Sequence, residues 1–431
     1  MTNSFHTESN QTSLKPAVAL SSLPVSPPAR RVSPRMRTTS PGAVIFGLVT
    51  TRAGFSALRD DWQELESRAG TQFNYFQTFD WNWKWYDHVA DPATHQLAIL
   101  TVRRHGRLAL VWPMMIVREA GLRVVKWLSE PHLQYGDVLI EAHDGSQDLL
   151  ERTWNHLLQL RSYDLVLLNK VLDTANASAL LKQHCKTVNN GSVASQLNIS
   201  GYANSAEFTA SLSRKRRRRH VKRRRTLAQQ GHELTFHVHH PGPEFVNAVE
   251  AALSFKRDWL VNTGLMSQSL FEPETERFLA SLSSQKPHDA REIAAELKLD
   301  GRTIAVETGF VFKSHYYAYL GAFDWELRNF SPGKVQMHDM VSWCIDNSIS
   351  HYDLLGTPAA YKSEWSNETI EMQDFCAARS PAAEVYVRLW LGTVRPAAKN
   401  MFENLAPKWR RALLKGVDLV TNLFSARRSA L

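Results

Sequence analysis

Arg328, Ser331, Gly333 and Lys334 fall within the seven residues RNFSPGK, and together they have the chemistry to hold a phosphate. Ser331 is a good N-cap. Pro332 tolerates the first helical turn, where its missing N–H would be an orphan, and Gly333 leaves the backbone open to close approach. Lys334 in that turn opposes the helix dipole at a cost of a few tenths to about 1 kcal/mol unless an anion is bound there. A phosphate reverses the sign, because it meets free N–H groups and a favourable dipole.

Two strands and a helix must position this turn. Asp300-Gly301 lies between two half-apolar runs and marks a hairpin. Period two along the second run places Ala305, Glu307 and Gly309 on one face and Ile304, Val306, Phe310 and Phe312 on the other. Glu307 therefore has small neighbours and room for a ligand beside it, or is a surface or salt-bridged carboxylate. Asp324 ends the following strand close to the turn. After the turn, Met337, Met340, Val341, Cys344 and Ile345 recur at helical spacing and share one buried face. A short buried strand, HYDLLG, and an aromatic-basic segment, PAAYKSEW, then bring in Tyr352, Tyr361 and Lys362.

The paired strands, Arg328-x-x-Ser331-x-Gly333 and the helix resemble the pyrophosphate-binding segment of the GNAT acyl-CoA N-acyltransferase superfamily, whose pattern is Gln/Arg-x-x-Gly-x-Gly/Ala. Ser331 stands where that pattern has its first Gly. The resemblance extends to FQTFDWNWKWYDH, SLSRKRRRRHVKRRRTLAQQG, FSPGKVQMHDM and YDLLGTPAAYKSEW. In this order they resemble the CelD/BcsL-like acetyltransferase family, a tandem-GNAT group related to the FemAB peptidyl transferases, over residues 44 to 380. The resemblance implies an α/β fold with mixed (α+β) sheets and two tandem GNAT-like acyltransferase domains.

The composition fits that size. At 431 residues with 43% apolar side chains, the chain is long enough for two domains with real cores. No apolar run approaches the roughly 18 to 20 residues of a membrane span, and the N-terminus has no apolar signal core, so a cytoplasmic protein is expected. The three cysteines, Cys185, Cys344 and Cys376, are far apart and read as reduced core thiols. The net charge of +9 is local: residues 1–43 carry +4, residues 381–431 carry +6, and the middle is left with −1. Within that middle, Arg214 to Arg225 holds ten Lys or Arg in twelve positions. This segment reads as a solvated helix, a site for cofactor or acceptor phosphates, or a nucleic-acid patch.

Residues 1–43, rich in Ser, Thr and Pro, are expected to be a disordered tail. Residues 44–200 form the first, degenerate GNAT-like domain, without a Gly-rich phosphate turn, whose role would be to shape one wall of a substrate cleft. HQLAILTVRR and RLALVWPMMIV read there as two strands meeting at His105-Gly106. Trp81, Trp83 and Trp85 suggest a carbohydrate platform or, more plainly, packing around a helix. Residues 201–380 form the acyl-CoA-binding domain. His237 and His239 share a strand face without an Asp or Cys partner, and no metal is expected. Residues 381–431 read as a basic amphipathic helical tail that docks on the body or lies on a membrane surface; the latter would place the protein at the inner face of the membrane.

Acyl transfer from a thioester to an amine needs the amine deprotonated, the carbonyl polarised and the departing thiolate protonated. Glu307 and Asp324 are the candidate bases. The resemblance implies a Tyr acid at the last strand–helix junction, and Tyr361, within Tyr-Lys-x-x-Trp, is preferred over Tyr352. Arg328, Ser331, Gly333 and Lys334 would hold the cofactor, and Lys362 would pair with its phosphate or with developing negative charge. The expectation is an acyl-CoA-dependent N-acyltransferase that uses acetyl-CoA or another acyl-CoA as co-substrate. Its acceptor would be an amine-bearing small molecule or envelope precursor, in cell-envelope, cellulose or exopolysaccharide biosynthesis, with no specific nucleic acid as partner. The alternatives are a FemAB-like transferase drawing on aminoacyl-tRNA, for which the Arg cluster would grip the RNA, and a non-catalytic GNAT-fold scaffold for polysaccharide synthesis.

Overall fold

The computed structural model describes residues 44–413 apart from 161, 189–190, 285–289, 357–358 and 360. The tail 1–43, expected to be disordered, and the end of the chain from 414 lie outside the described residues. Sixteen strands occur in chain order. In the first half they are β1 (Val44–Val49), β2 (His95–Leu97), β3 (Ile99–Arg104), β4 (Arg107–Trp112), β5 (Met114–Glu119), β6 (Leu122–Trp127), β7 (Leu139–Ile140), β8 (Leu165–Leu172), β9 (Lys186–Thr187) and β10 (Ser192–Asn198). The second half adds β11 (Leu234–His239), β12 (Ala290–Leu299), β13 (Arg302–Phe312), β14 (His315–Phe323), β15 (His351–Asp353) and β16 (Glu368–Ala378).

A four-stranded sheet has the order β1-β3-β4-β7. A twelve-stranded sheet runs β11-β12-β13-β14-β15-β10-β16-β8-β6-β5-β2, with β9 paired to β16. The two runs expected as single strands are each split between these sheets. Pro113 has no N–H to give to a ladder, so RLALVWPMMIV breaks there, leaving β4 in the small sheet and β5 in the large one. HQLAILTVRR breaks opposite it, at Ala98, whose N–H bonds to the Met114 carbonyl at 3.0 Å. The His105-Gly106 and Asp300-Gly301 turns close their hairpins as expected, with both residues of each at positive φ.

The aromatic segment Tyr75–Trp85 joins the two halves. The Tyr75 ring stacks on Phe310 of β13, with centroids 4.5 Å apart, and its hydroxyl donates to Glu292 of β12 at 3.1 Å. Trp81 is fully buried against Phe278, Phe310 and Tyr319, and its indole N–H donates to Ser129. Trp85 is buried too, donating to His132. The tryptophans are core packing, not a carbohydrate platform.

β15 has three residues and central consequences. It pairs parallel with β14 and antiparallel with β10. Asp353 is wholly buried and accepts from Tyr135 (2.8 Å), Gln196 (3.1 Å) and the Leu355 N–H (2.7 Å), with His315 at 3.0 Å. Tyr135 and Gln196 come from the first half, His315 and Leu355 from the second. Asp353→Ala would leave these groups buried without an acceptor, and breaking such a buried pair costs about 3 to 5 kcal/mol. A loss of that size in urea unfolding is expected, with Asp353→Asn losing less because its amide oxygen still accepts.

Candidate active site

The second half of the large sheet opens where β14 and β15 part. The two strands pair only over His315–Tyr317 and His351–Asp353. Beyond that point β14 runs on to Phe323 with no strand partner on this side among the described residues. The opening is a cavity of roughly 400 Å³, lined among others by Glu307, Gly321, Phe323, Ser331, Gly333 and Tyr361. The described lining residues run from Lys256 to Tyr361, all in the second half of the chain.

Glu307 is 5% exposed and sits at the floor of the cavity. Its Oε1 accepts from the Tyr352 hydroxyl at 2.6 Å and the Tyr316 hydroxyl at 3.0 Å. Among the described residues nothing donates to Oε2. Burial raises its pKa to about 7, and the two tyrosines work against that rise. The small neighbours seen in the sequence have distinct uses. Gly309 lets the Tyr316 ring lie over the strand, where a Cβ would collide with it. Gly321, directly opposite Glu307 in the ladder, keeps the cavity open: a Cβ there would lie 3.8 Å from Oε2. Sequence periodicity missed Gly321 because it lies on the partner strand.

The turn after β14 contributes Arg328, Ser331, Gly333 and Lys334 to the same cavity. A short 3-10 segment, Trp325–Phe330, leads into the helix Pro332–Asp346. Ser331 does not cap that helix with its side chain, as its type had suggested. It takes the left-handed conformation, φ 56° and ψ 51°, and makes no side-chain cap bond. That conformation favours glycine, which accounts for the glycine in the pattern at this position. No side-chain cap stands over the start of this helix; Pro332 has no N–H and the Lys334 N–H bonds to the Ser331 carbonyl at 3.1 Å, which leaves the Gly333 N–H to meet a phosphate. Lys334 reaches Glu364 at 3.4 Å, and Arg328 donates to the Trp325 carbonyl at 3.1 Å and covers that ring.

Tyr361 lines the cavity with 41% of its surface exposed; loss of solvent around its hydroxyl first, then the charge of Glu307, push its pKa up to about 12. Two residues named from sequence are placed elsewhere. Asp324 is buried, caps the 3-10 segment by accepting from Glu326 N–H at 3.0 Å, and pairs with Arg302. Its carboxylate is occupied and does not line the cavity. Lys362 is also buried, and donates to the carbonyls of Leu354 and Leu355, so it ties down the chain after β15 rather than facing a ligand. Burial lowers its pKa to about 8.

Lys256 and Trp259 are lining residues that sequence reading passed over. They sit on the long helix Pro243–Thr263, which packs across β13 and β14. The Lys256 ammonium lies 4.4 Å from the Trp259 ring centroid and has no carboxylate within ion-pair distance among the described residues. Burial lowers its pKa. The only signal was Lys-x-x-Trp on one helix face, a spacing too common to single out.

The arginine-rich helix, Arg214–Leu227, flanks the turn. One face is docked: Arg224 pairs with Asp339, Arg216 covers Trp365 at 5.0 Å, and His220 stacks on His338 at 3.7 Å. The other, with Arg214, Lys215, Arg218, Arg219, Lys222 and Arg225, is exposed. His220, His338 and Asp339 are the one group among the described residues close enough together to hold a metal ion. Asp339 is also held by Arg224, and both ring nitrogens of His338 are buried without a hydrogen-bond partner. His239 pairs with Glu296, at 2.7 Å.

Comparison with known proteins agrees with this geometry. Residues 214–363 match the model of the acetyltransferase (GNAT) domain. That span contains every described lining residue from Lys256 to Tyr361. Of solved structures, the chain is similar to the crystal structure of FemX, at 12% identity and a TM-score of 0.54, covering 77% of this chain and 98% of that one. It is also similar to a tandem GNAT protein from the clavulanic acid biosynthesis pathway, at 10% identity and a TM-score of 0.45, covering 79% and 99%. The fold is thus a mixed α/β fold similar to that of FemX. No curated protein matches the chain.

Ser331→Gly is expected to relieve the left-handed backbone, raising stability by about 1 kcal/mol in thermal or urea unfolding. Gly333→Val should perturb the cavity instead. A Cβ there already lies 3.2 Å from the Phe323 ring, so the larger side chain must displace it or fill the wall.

Proposed function

We propose that the chain is an acyl-CoA-dependent N-acyltransferase whose reaction takes place in the cavity between β14 and β15. The observation that carries this reading is a buried carboxyl, Glu307, held at one oxygen and free at the other, facing the same cavity as an uncapped helix N-terminus. The fit to a phosphate-bearing acyl donor rests on the uncapped helix start after Ser331, the small Gly333 with its N–H, and the cations Lys334 and Arg328. Bound there, acyl-CoA would supply the thioester.

Glu307 Oε2 would accept the proton of the incoming ammonium, so that the neutral amine attacks the acyl carbonyl. The C–N bond forms as the C–S bond breaks. The thiolate leaves with the proton of the Tyr361 hydroxyl, and the second proton shed by the acylated nitrogen restores that hydroxyl. An unpaired Lys256 on the wall supports an acceptor or acyl group with an anionic end. The motifs from Phe76 to Trp365 support placement beside the CelD/BcsL-like acetyltransferases and an acceptor belonging to cell-envelope or exopolysaccharide synthesis. The exposed face of the arginine-rich helix favours the second reading, an aminoacyl-tRNA donor, because its cations are spaced along one outer surface.

Heat of binding separates the two: the first reading expects acetyl-CoA to bind and Arg328→Ala to weaken it roughly ten- to hundredfold, as for a lost charge-assisted contact. Tight tRNA binding that survives physiological salt, with none for acetyl-CoA, would reverse the choice.

Glu307 acts as a base only when ionised, so kcat/KM should rise with pH through an apparent pKa of about 7. Glu307→Gln should remove that limb and about 10²- to 10⁴-fold of the rate. Tyr352→Phe deletes a hydrogen bond that favours the carboxylate, and should move the limb to higher pH. The same raised pKa has a stability consequence. Between the ordinary carboxyl value and about 7 the folded protein holds a proton that the unfolded chain releases, so stability should fall as pH rises across that window.

A further inference from the structure

The helical run that ends the described chain leaves the body. It begins at Pro381–Val385, continues as a π-helical stretch, Tyr386–Val394, and ends in the helix Arg395–Asn404. Ala383, Val387 and Leu391 are buried against β6 and β8. From residue 392 to residue 401 every side chain is exposed, and the helix Arg395–Asn404 buries none. The chain then touches down again, with Pro407, Arg410 and Arg411 against Gly264 at the end of the long helix Pro243–Thr263.

The exposed side chains are large and apolar. Leu389 (60% exposed), Trp390 (46%), Met401 (67%), Trp409 (59%) and Leu413 (50%) project from this run, Val261 (60%) from the end of the helix it meets, and Met266 (53%) from the loop just past it. Cations are interspersed. Arg395, Lys408 and Arg411 have no acidic partner among the described residues, and the two acids of the segment are taken, Glu384 by Lys186 and Arg388 and Glu403 by Lys399.

We propose that this surface seats on an anionic lipid bilayer, with Leu389, Trp390, Trp409 and Leu413 entering the headgroup region and the unpaired cations meeting lipid phosphates. Charge decides against a second copy of this chain, since a self-complementary contact would set these cations against each other. Long apolar side chains left exposed on the outer side of this run suit a fluid apolar phase, and indole rings favour the membrane–water boundary. No helix among the described residues is long and apolar enough to cross a membrane, so the mode is peripheral. The end of the long helix that joins this surface also carries Lys256 and Trp259 on the cavity wall, so an acceptor drawn from the bilayer would have a short path. The lipid contact itself does not depend on which acyl donor the cavity takes.

The test is flotation of the full chain with vesicles of phosphatidylcholine alone and of equal parts phosphatidylcholine and phosphatidylglycerol. The chain should float with the anionic vesicles, with at least about tenfold less bound to the neutral ones, and high salt should weaken the binding. The triple variant Leu389→Ser, Trp390→Ala, Trp409→Ala, which alters only exposed positions, should keep the parent's melting temperature and lose flotation. Failure of the parent to float with anionic vesicles would overturn the proposal, as would equal flotation with neutral ones or by the variant. A concentration-dependent dimer that the triple variant dissolves would assign the surface to a second copy instead.

Discussion

Much of the molecule hangs on the carboxylate of Asp353. It is wholly buried, and it holds donors from both halves of the chain on a strand only three residues long. Its neighbour Tyr352 points to the opposite face of that strand and donates to Glu307. One short strand therefore fixes the seam between the halves and aims the cavity's carboxyl. The two tasks are coupled through a single peptide unit, so a shift of β15 that loosened the seam would also change how Glu307 is held.

The site is assembled in the same economical way. Three glycines act by what they lack: Gly309 admits Tyr316, Gly321 leaves Oε2 facing open space, and Gly333 stands near the ring of Phe323. The tyrosines then set the ionisation of Glu307 against the burial that opposes it. Burial is the larger effect, so the carboxyl is held above its ordinary value in spite of its two hydroxyl donors.

The sequence made the second half legible because its signals are local. A two-residue turn, a period-two strand and an amphipathic helix need no knowledge of distant residues, and RNFSPGK carried the cavity's turn in seven positions. It misled where a residue type has two uses. Ser331 reads as a cap by type but serves as a left-handed hinge, and Asp324 and Lys362 read as functional charges but hold the backbone. It was silent where the partner lies far away. Gly321 gains its meaning from the opposing strand, and Lys256 from a helix laid across the sheet. The splitting of two apparent strands at Ala98 and Pro113 needed the second sheet before it could be seen.

The edge of β14 beyond Tyr317, which has no strand partner on that side among the described residues, bears on how this site could change over generations. An unpaired strand presents N–H and C=O groups that belong to every amino acid alike. A ligand with amide groups of its own could extend the sheet there and be held by main chain, whatever side chains stand along Ala318 to Phe323. Substitutions on that stretch would reshape the walls without removing the handhold. Such a binding surface can drift in sequence while retaining its grip, which leaves selectivity to be tuned separately by the few side chains that face the free end of whatever is held.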